Sequence, residues 1–185
     1  MALLKIGLIG YRNHSSKVIK AILLSKKIKN LICYCYKEEK IKNLNKLYND
    51  SRISFTSNLN NFSDLDAFFI TSPSNTHVKY LKKLIKFNKP IFCEKTGFVS
   101  LKEYEFLINL REKNKNKIYF NYNLLHSDFF TTFKKIYYTN KDKLIHFTIF
   151  AGNGIAYLNK FKKNWRLKSK NILERISGNI GVHYI

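Results

Sequence analysis

Between Asp66 and Lys95 the chain reads DAFFITSPSNTHVKYLKKLIKFNKPIFCEK, a strand, a loop, a helix and a second strand in close succession. Ala67 to Thr71 is a short apolar run closed at once by Ser72-Pro73-Ser74-Asn75, the way a buried parallel strand gives way to a loop. From Thr76 onward Val78, Leu81, Leu84 and Ile85 recur at helical spacing while Lys79, Lys82, Lys83 and Lys86 take the other face. Asn75 or Thr76 is placed to cap the first turn. Asn88-Lys89-Pro90 stops that helix. Pro90-Ile91-Phe92-Cys93 then forms a second buried strand, and Glu94-Lys95 puts two charges where it reaches the edge of the sheet. In an open parallel sheet that carboxyl edge is where ligands bind.

The N-terminal half repeats this alternation. Leu4 to Gly10 is a strand running into a loop, and Val18, Ile19, Ile22 and Leu23 give the next segment a helical apolar face. Asn30 to Tyr36 is a second strand, Glu38 to Leu47 a helix, Arg52 to Thr56 a third strand, and Asn58 to Ser63 a polar turn. After Lys95, Leu101, Tyr104, Leu107, Ile108 and Leu110 mark a helix whose solvated end is the charge run Arg111 to Lys117. Ile118 to Tyr122 is one more strand. The expected fold is α/β, a doubly wound parallel sheet of Rossmann type over residues 1–122.

Such a fold places G-x-G-x-x-G after its first strand: one glycine makes the tight turn, one lets a pyrophosphate approach the backbone, and one lets helix and strand pack closely. Gly7 and Gly10 precede the loop, but the pattern read on Gly10 asks for glycine at 12 and 15, where the chain has Arg12 and Ser15. Arg12 offers charge to a phosphate, and Asn13, Ser15 and Ser16 offer hydrogen bonds or a helix cap. The opposing reading is a loop that has closed, since a side chain at position 12 crowds the place of the pyrophosphate. The second strand of an NAD-binding fold should end in Asp or Glu to hold the ribose hydroxyls. Here it ends Cys35-Tyr36-Lys37, with no acid unless Glu38 reaches back. Lys37 either favours the extra phosphate of NADP or is a solvated strand-end lysine.

Composition decides what else to expect. Of 185 residues 45% are hydrophobic and 15% aromatic, which argues for a globular chain. A formal net charge of +22 would ordinarily suggest nucleic acid. Its lysines, however, are scattered over nearly every polar face, alongside the Asn, Ile and Tyr of an AT-rich genome, and no nucleic-acid motif accompanies them. Cys33, Cys35 and Cys93 lie in apparent buried strands without metal-ligand spacing, so they read as inert thiols and no metal is expected. Met1 to Gly10 is too short and glycine-rich for a signal peptide, and no apolar run is long enough to span a membrane. A soluble, cytoplasmic protein is expected.

Ile70-Thr71-Ser72-Pro73 with His77 one helical step on, followed by Cys93-Glu94-Lys95, resembles the glucose-fructose oxidoreductase / inositol dehydrogenase (Gfo/Idh/MocA) family, which carries T-P-x-x-x-H and then E-K-P. Thr96 stands where that family has proline. Tyr122-Asn123-Leu124 is similar to the family's Y-N-x-R-F, with Leu125 in the arginine's place. Gly178 to Ile185 is similar to its D-x-G-x-H-Y-I-D, and Trp165-Arg166 to a W-R pair found in some members. The resemblance implies NAD or NADP as cofactor, held at Gly7, Gly10, Arg12 and Asn13, at Tyr36 and Lys37, at Ser72, Pro73, Asn75 and His77, and at Glu94 and Lys95. It implies as substrate a small sugar or nucleotide-sugar derivative.

Hydride transfer from a carbinol must be matched by removal of the hydroxyl proton, which needs a base in reach and a cation for the developing alkoxide. The resemblance assigns this work to Lys95 and His183. Asn179 lies four residues before His183, on the same helix face, and cannot carry the negative charge the family places there. Residues 123–185 read as the beginning of an α+β second domain for substrate and oligomerisation: a helix with Phe129, Phe130, Phe133 and Ile136, then a strand from Lys143 to Phe150 in which His146 is half-buried. Stopping at Ile185, where the family begins a helix, points to a fragment, a truncated frame or a half supplied by a partner; a homo-oligomer is expected if the second domain is complete. The alternatives are a truncated or degenerate non-catalytic relative that binds or assembles, and a basic nucleic-acid-binding protein.

Overall fold

The computed structural model describes residues 2–12, 14–113 and 118–140. They divide into one compact unit that runs to Phe120 and another that starts at Asn121. In the first, β1 (Leu4–Ile9), α1 (His14–Leu24), β2 (Ile28–Tyr34), α2 (Ile41–Leu47) and β3 (Ile53–Thr56) are followed by β4 (Ala67–Ile70), α3 (His77–Leu84), β5 (Ile91–Glu94), α4 (Leu101–Lys113) and β6 (Ile118–Asn121). The six strands form one sheet in the order β3-β2-β1-β4-β5-β6. β1 pairs in parallel with both β2 and β4, so the chain reverses its progress across the sheet between them. That is the topological switch point of a doubly wound fold, as the alternation of apolar runs and helical faces predicts.

Alternation along β1 splits the core in two. Ile6 and Leu8 join Ile19, Leu31, Cys33, Ile53 and Phe55 in one cluster. Ile9 joins Phe68, Ile70, Leu81, Leu84, Ile91 and Cys93 in the other. α3 turns Val78, Leu81 and Leu84 inward and keeps Lys79, Lys82 and Lys83 out. A 3-10 turn, Ile85–Phe87, continues it and ends where Asn88 takes a left-handed φ of 52°, the role asparagine fills at helix C-termini.

Gly7 does not reach the edge where the resemblance places the cofactor. It sits within β1, paired with Ile32 and Phe68, and a Cβ there would lie 2.7 Å from the Phe62 ring and 2.9 Å from Leu65. Its missing side chain makes room for the core. Gly7→Val is therefore expected to cost about 1–3 kcal/mol through overpacking, read as a lower urea midpoint at unchanged slope; an unchanged midpoint would show that Phe62 yields freely.

Three local expectations need correction. β2 ends at Tyr34 rather than Tyr36, because its partners Ile9 and Thr56 are themselves the last residues of their strands. Residues 59–62 are not merely a polar turn: Leu59–Phe62 is a single 3-10 turn that buries Phe62 against Phe68, ring centroids 5.8 Å apart. Nor does a side chain cap α3. Thr76 instead donates to the Pro73 carbonyl at 2.6 Å and shares a hydrogen bond with Ser72.

In the second unit, Ser127 caps α5 (Asp128–Thr139), its Oγ accepting from the Phe130 amide at 3.2 Å. The helix carries Phe129, Phe130, Phe133 and Ile136, as the spacing predicts. The strand expected from Lys143, His146, the tryptophan segment, Asn179 and His183 lie outside the described residues, as does Asn13.

Candidate functional site

Strand register sets the site. Tyr34 pairs with Ile9, Ile9 with Ile70 and Ile70 with Cys93, so four neighbouring strands end level to within one residue. Immediately past that row come Cys35, Gly10, Thr71 and Glu94. Every loop singled out by sequence therefore leaves the sheet on one edge, around the switch point between β1 and β4.

Gly10 makes the turn into α1 with φ +127°, a conformation L side chains rarely adopt. A Cβ there would also fall 2.6 Å from Ser15 Oγ and 2.7 Å from Thr71 Oγ1. Those hydroxyls explain the departure from glycine at position 15. Ser15 is buried, and its Oγ accepts from Thr71 Oγ1 at 2.8 Å and donates to the Thr71 carbonyl at 3.4 Å, while Thr71 Oγ1 also contacts the Ile9 carbonyl at 3.1 Å. A small residue is still required there, and serine adds hydrogen bonds that fasten α1 to the end of β4.

Arg12 does not pack into the loop. It is exposed, with Cζ 5.5 Å from the Tyr11 ring centroid. The Tyr11 hydroxyl is buried without a hydrogen bond of normal geometry. Burial raises its pKa, and the Arg12 guanidinium beside it pulls the other way. Tyr11 meets Tyr36 of the next loop, ring centroids 6.2 Å apart, and Lys37 Nζ lies 5.9 Å from the Tyr36 ring.

On the other side of β1, the loop after β4 carries Ser72, the exposed Pro73 and Asn75, and the fully buried His77. His77 Nε2 lies 2.7 Å from the Ser72 carbonyl and Nδ1 2.7 Å from the Thr96 carbonyl. The imidazole therefore joins the loop after β4 to the loop after β5. Its pKa is pushed below the ordinary 6.5 by burial, with the two carbonyl contacts opposing. Lys95 is half-buried between Glu94 and Thr96, and the Lys95–Thr96 peptide is cis.

Sequence reasoning found no partner for His14. Its Nε2 lies 2.9 Å from Glu94 Oε1, and since β4 separates β1 from β5 in the sheet, this contact reaches across the end of β4. No local signal could have found it, because the partners are 80 residues apart. Tyr11 carries no sequence signal either, although its ring links the first two loops.

The residues present fit a dinucleotide. Gly10 retains the turn, α1 opens beside it with no acidic residue in its first turn, and Arg12 supplies a cation where an anion at a helix start is favoured. Cys33, Cys35 and Cys93 are free and buried, and burial pushes the thiols of Cys33 and Cys93 far up, which leaves them unreactive. Among the described residues no group of three or more His, Cys, Asp or Glu could hold a metal ion, and no helix is long and apolar enough to cross a membrane.

Residues 4–122 match the model of the oxidoreductase family with the NAD-binding Rossmann fold. No curated protein matches the chain at the sequence level. Among solved structures, scyllo-inositol dehydrogenase from Lactobacillus casei, with NAD(H) and scyllo-inositol bound, is 18% identical over 75% of this chain and 42% of its own, with a TM-score of 0.62. The WlbA dehydrogenase of Bordetella pertussis, in complex with NADH and UDP-GlcNAcA, is 14% identical over 75% of this chain and 42% of its own, with a TM-score of 0.64. KijD10, a 3-ketoreductase from Actinomadura kijaniata in complex with NADP and TDP-benzene, is 13% identical over 74% and 42%, with a TM-score of 0.60. At these identities the likeness is one of fold, and the chain spans about 42% of the length of these relatives. With its family profile matched from the first strand to the last of the sheet, the chain belongs to the Gfo/Idh/MocA oxidoreductase family, whose Rossmann fold binds NAD(P).

Proposed function

We propose that this chain serves an NAD(P)-dependent oxidation or reduction at a carbinol or ketone carbon of a sugar or nucleotide-sugar derivative. The observation that carries this reading is the level row of strand ends, which gathers the Gly10 turn, the Ser72–His77 loop and Glu94-Lys95 on one edge. The substrates bound by the solved relatives support the sugar class. Three buried thiols agree with work in a reducing cytoplasm.

Gly10 and the start of α1 would hold the pyrophosphate, and Tyr36 and Lys37 would flank the ribose on the β2 side. Ser72 to His77 and Glu94 would border the other end. When bound, the nicotinamide accepts or supplies the hydride. The chain's own residues handle the proton. Lys95, half-buried, would accept the hydroxyl proton as the carbinol is oxidised and return it to the oxygen in the reverse, reductive direction. His183, with Asn179 four residues before it in the sequence, is the alternative base that the resemblance offers. His77 positions Lys95 by holding the following carbonyl, and His14 positions Glu94.

The test uses the full chain with NAD⁺ or NADP⁺ and a panel of inositols, hexoses and nucleotide sugars, following reduced nicotinamide by absorbance. Turnover with at least one of them is expected. Lys95→Met should lower it by about 10²–10⁴, with nucleotide binding retained. Binding of nucleotide without turnover on any of the panel would overturn the sugar oxidoreductase reading, as would full activity in Lys95→Met its role for lysine.

A further inference from the structure

We infer that this chain selects the phosphorylated dinucleotide, NADP(H), over NAD(H), and that Arg12 and Lys37 hold its 2′-phosphate. The inference rests on the reading of the sheet edge as a dinucleotide site and says which form that site takes. The two forms differ only at one ribose position, a hydroxyl in NAD and a phosphate in NADP. A site for the hydroxyl puts a carboxylate at the end of the second strand, where it accepts a hydrogen bond and repels phosphate; a site for the phosphate puts a cation nearby.

The chain has no carboxylate in that place. β2 ends at Tyr34, and Cys35, Tyr36 and Lys37 follow. Cys35 is buried and its thiol donates to the Lys37 carbonyl at 3.1 Å, which fixes the course of the connection. The first acid, Glu38, is exposed and already begins a 3-10 turn.

Two cations stand there instead. Arg12 follows β1 and Lys37 follows β2, and these strands are neighbours that end level at Ile9 and Tyr34. The Tyr11 and Tyr36 rings meet 6.2 Å apart, with the Arg12 guanidinium 5.5 Å from one ring centroid and Lys37 Nζ 5.9 Å from the other. An aromatic pair with a cation beside each ring suits an adenine ring and the phosphate next to it. Neither cation forms an ion pair with a carboxylate among the described residues, where the ion pairs are His14–Glu94 and Asp50–Arg52. Lys37 is also partly covered, unlike a solvated strand-end lysine. An arginine offers the planar fork that matches a phosphate, and a lysine adds a point charge. Family membership leaves the choice open, since the solved relatives bind either form.

The test titrates the folded full chain with NADPH and NADH, and with adenosine 2′,5′-bisphosphate and AMP as fragments that lack nicotinamide, following binding by fluorescence and calorimetry. NADPH is expected to bind at least about tenfold more tightly, the worth of one set of hydrogen bonds to a charged group. The bisphosphate should displace it while AMP does so weakly, and the preference should shrink as salt rises. Lys37→Gln and Arg12→Gln should each lower the ratio of the two affinities by about tenfold, with circular dichroism unchanged. Equal affinities, tighter NADH, or a ratio that neither substitution moves would overturn the inference and leave the dinucleotide site standing. Binding of neither nucleotide to a folded chain would overturn the site itself, and the inference with it.

Discussion

Replacing His77 with alanine is expected to cost about 3–5 kcal/mol, because it combines the loss of a fully buried ring with the loss of the one N–H that a neutral imidazole donates to a buried carbonyl. The ring is wholly inaccessible and lies 2.7 Å from the carbonyls of both Ser72 and Thr96. Urea denaturation reads the loss as a lower midpoint. A change below about 1 kcal/mol would mean that water replaces the imidazole without penalty, against the cost expected for unsatisfied buried groups. The same ring makes stability depend on pH. Burial depresses its pKa in the folded chain below the ordinary 6.5, so the unfolded chain binds more protons as the pH falls through that value. Stability contributed by neutral His77 is therefore complete above 6.5 and declines below it. His77→Gln should flatten that slope. A wild-type chain that gains stability through this residue as the pH falls would show that the two carbonyls outweigh burial.

Gly10→Val is the second substitution with a large expected effect. The residue sits at φ +127°, and a Cβ would meet Ser15 Oγ and Thr71 Oγ1 at 2.6 and 2.7 Å. Strain of about 1–3 kcal/mol is expected from the backbone alone. The hydroxyl network that fastens α1 to β4 would have to separate, moving the loop proposed to hold the phosphates. NADPH affinity should fall by about tenfold or more, which is about 1.4 kcal/mol of binding, in protein still folded by circular dichroism at low temperature. An unaltered affinity in a folded variant would show that the Gly10 turn is not part of the nucleotide site.

The fold was legible because its signals are local. Apolar runs closed by Ser72-Pro73 and Asn88-Lys89-Pro90, and a helix with lysines on one side, leave little freedom in how Asp66 to Lys95 can pack. Phe62 shows the limit: surrounded by Asn58, Asn60, Asn61 and Ser63, it has no periodic partner in sequence, and only the sheet supplies Phe68 for it to stack on. Gly7 shows another, since a glycine required by a ring packed against it looks in sequence like one required by a phosphate.

The site was legible as a set of loops but not as a set of contacts. Parallel strands with loops at their carboxyl ends must bring Gly10, Tyr36, Ser72 and Glu94 to one edge, and they do. Ser15 looked like a broken glycine motif, yet its hydroxyl is a buried fastener between helix and strand. The His14 contact with Glu94 and the double contact of His77 depend on backbone placement across the sheet, which residue spacing does not encode.

The central claim is that a dinucleotide lies across the strand ends at the switch point. Backbone amide resonances of the full chain, recorded while NADPH is added, test it most directly. The expected result is saturable shifts confined to Gly10–Ser16, Tyr36–Lys37, Ser72–His77 and Glu94–Gly97, with α2 and the far ends of the strands unmoved. Shifts centred elsewhere, or a folded chain whose spectrum does not respond to the nucleotide, would contradict it.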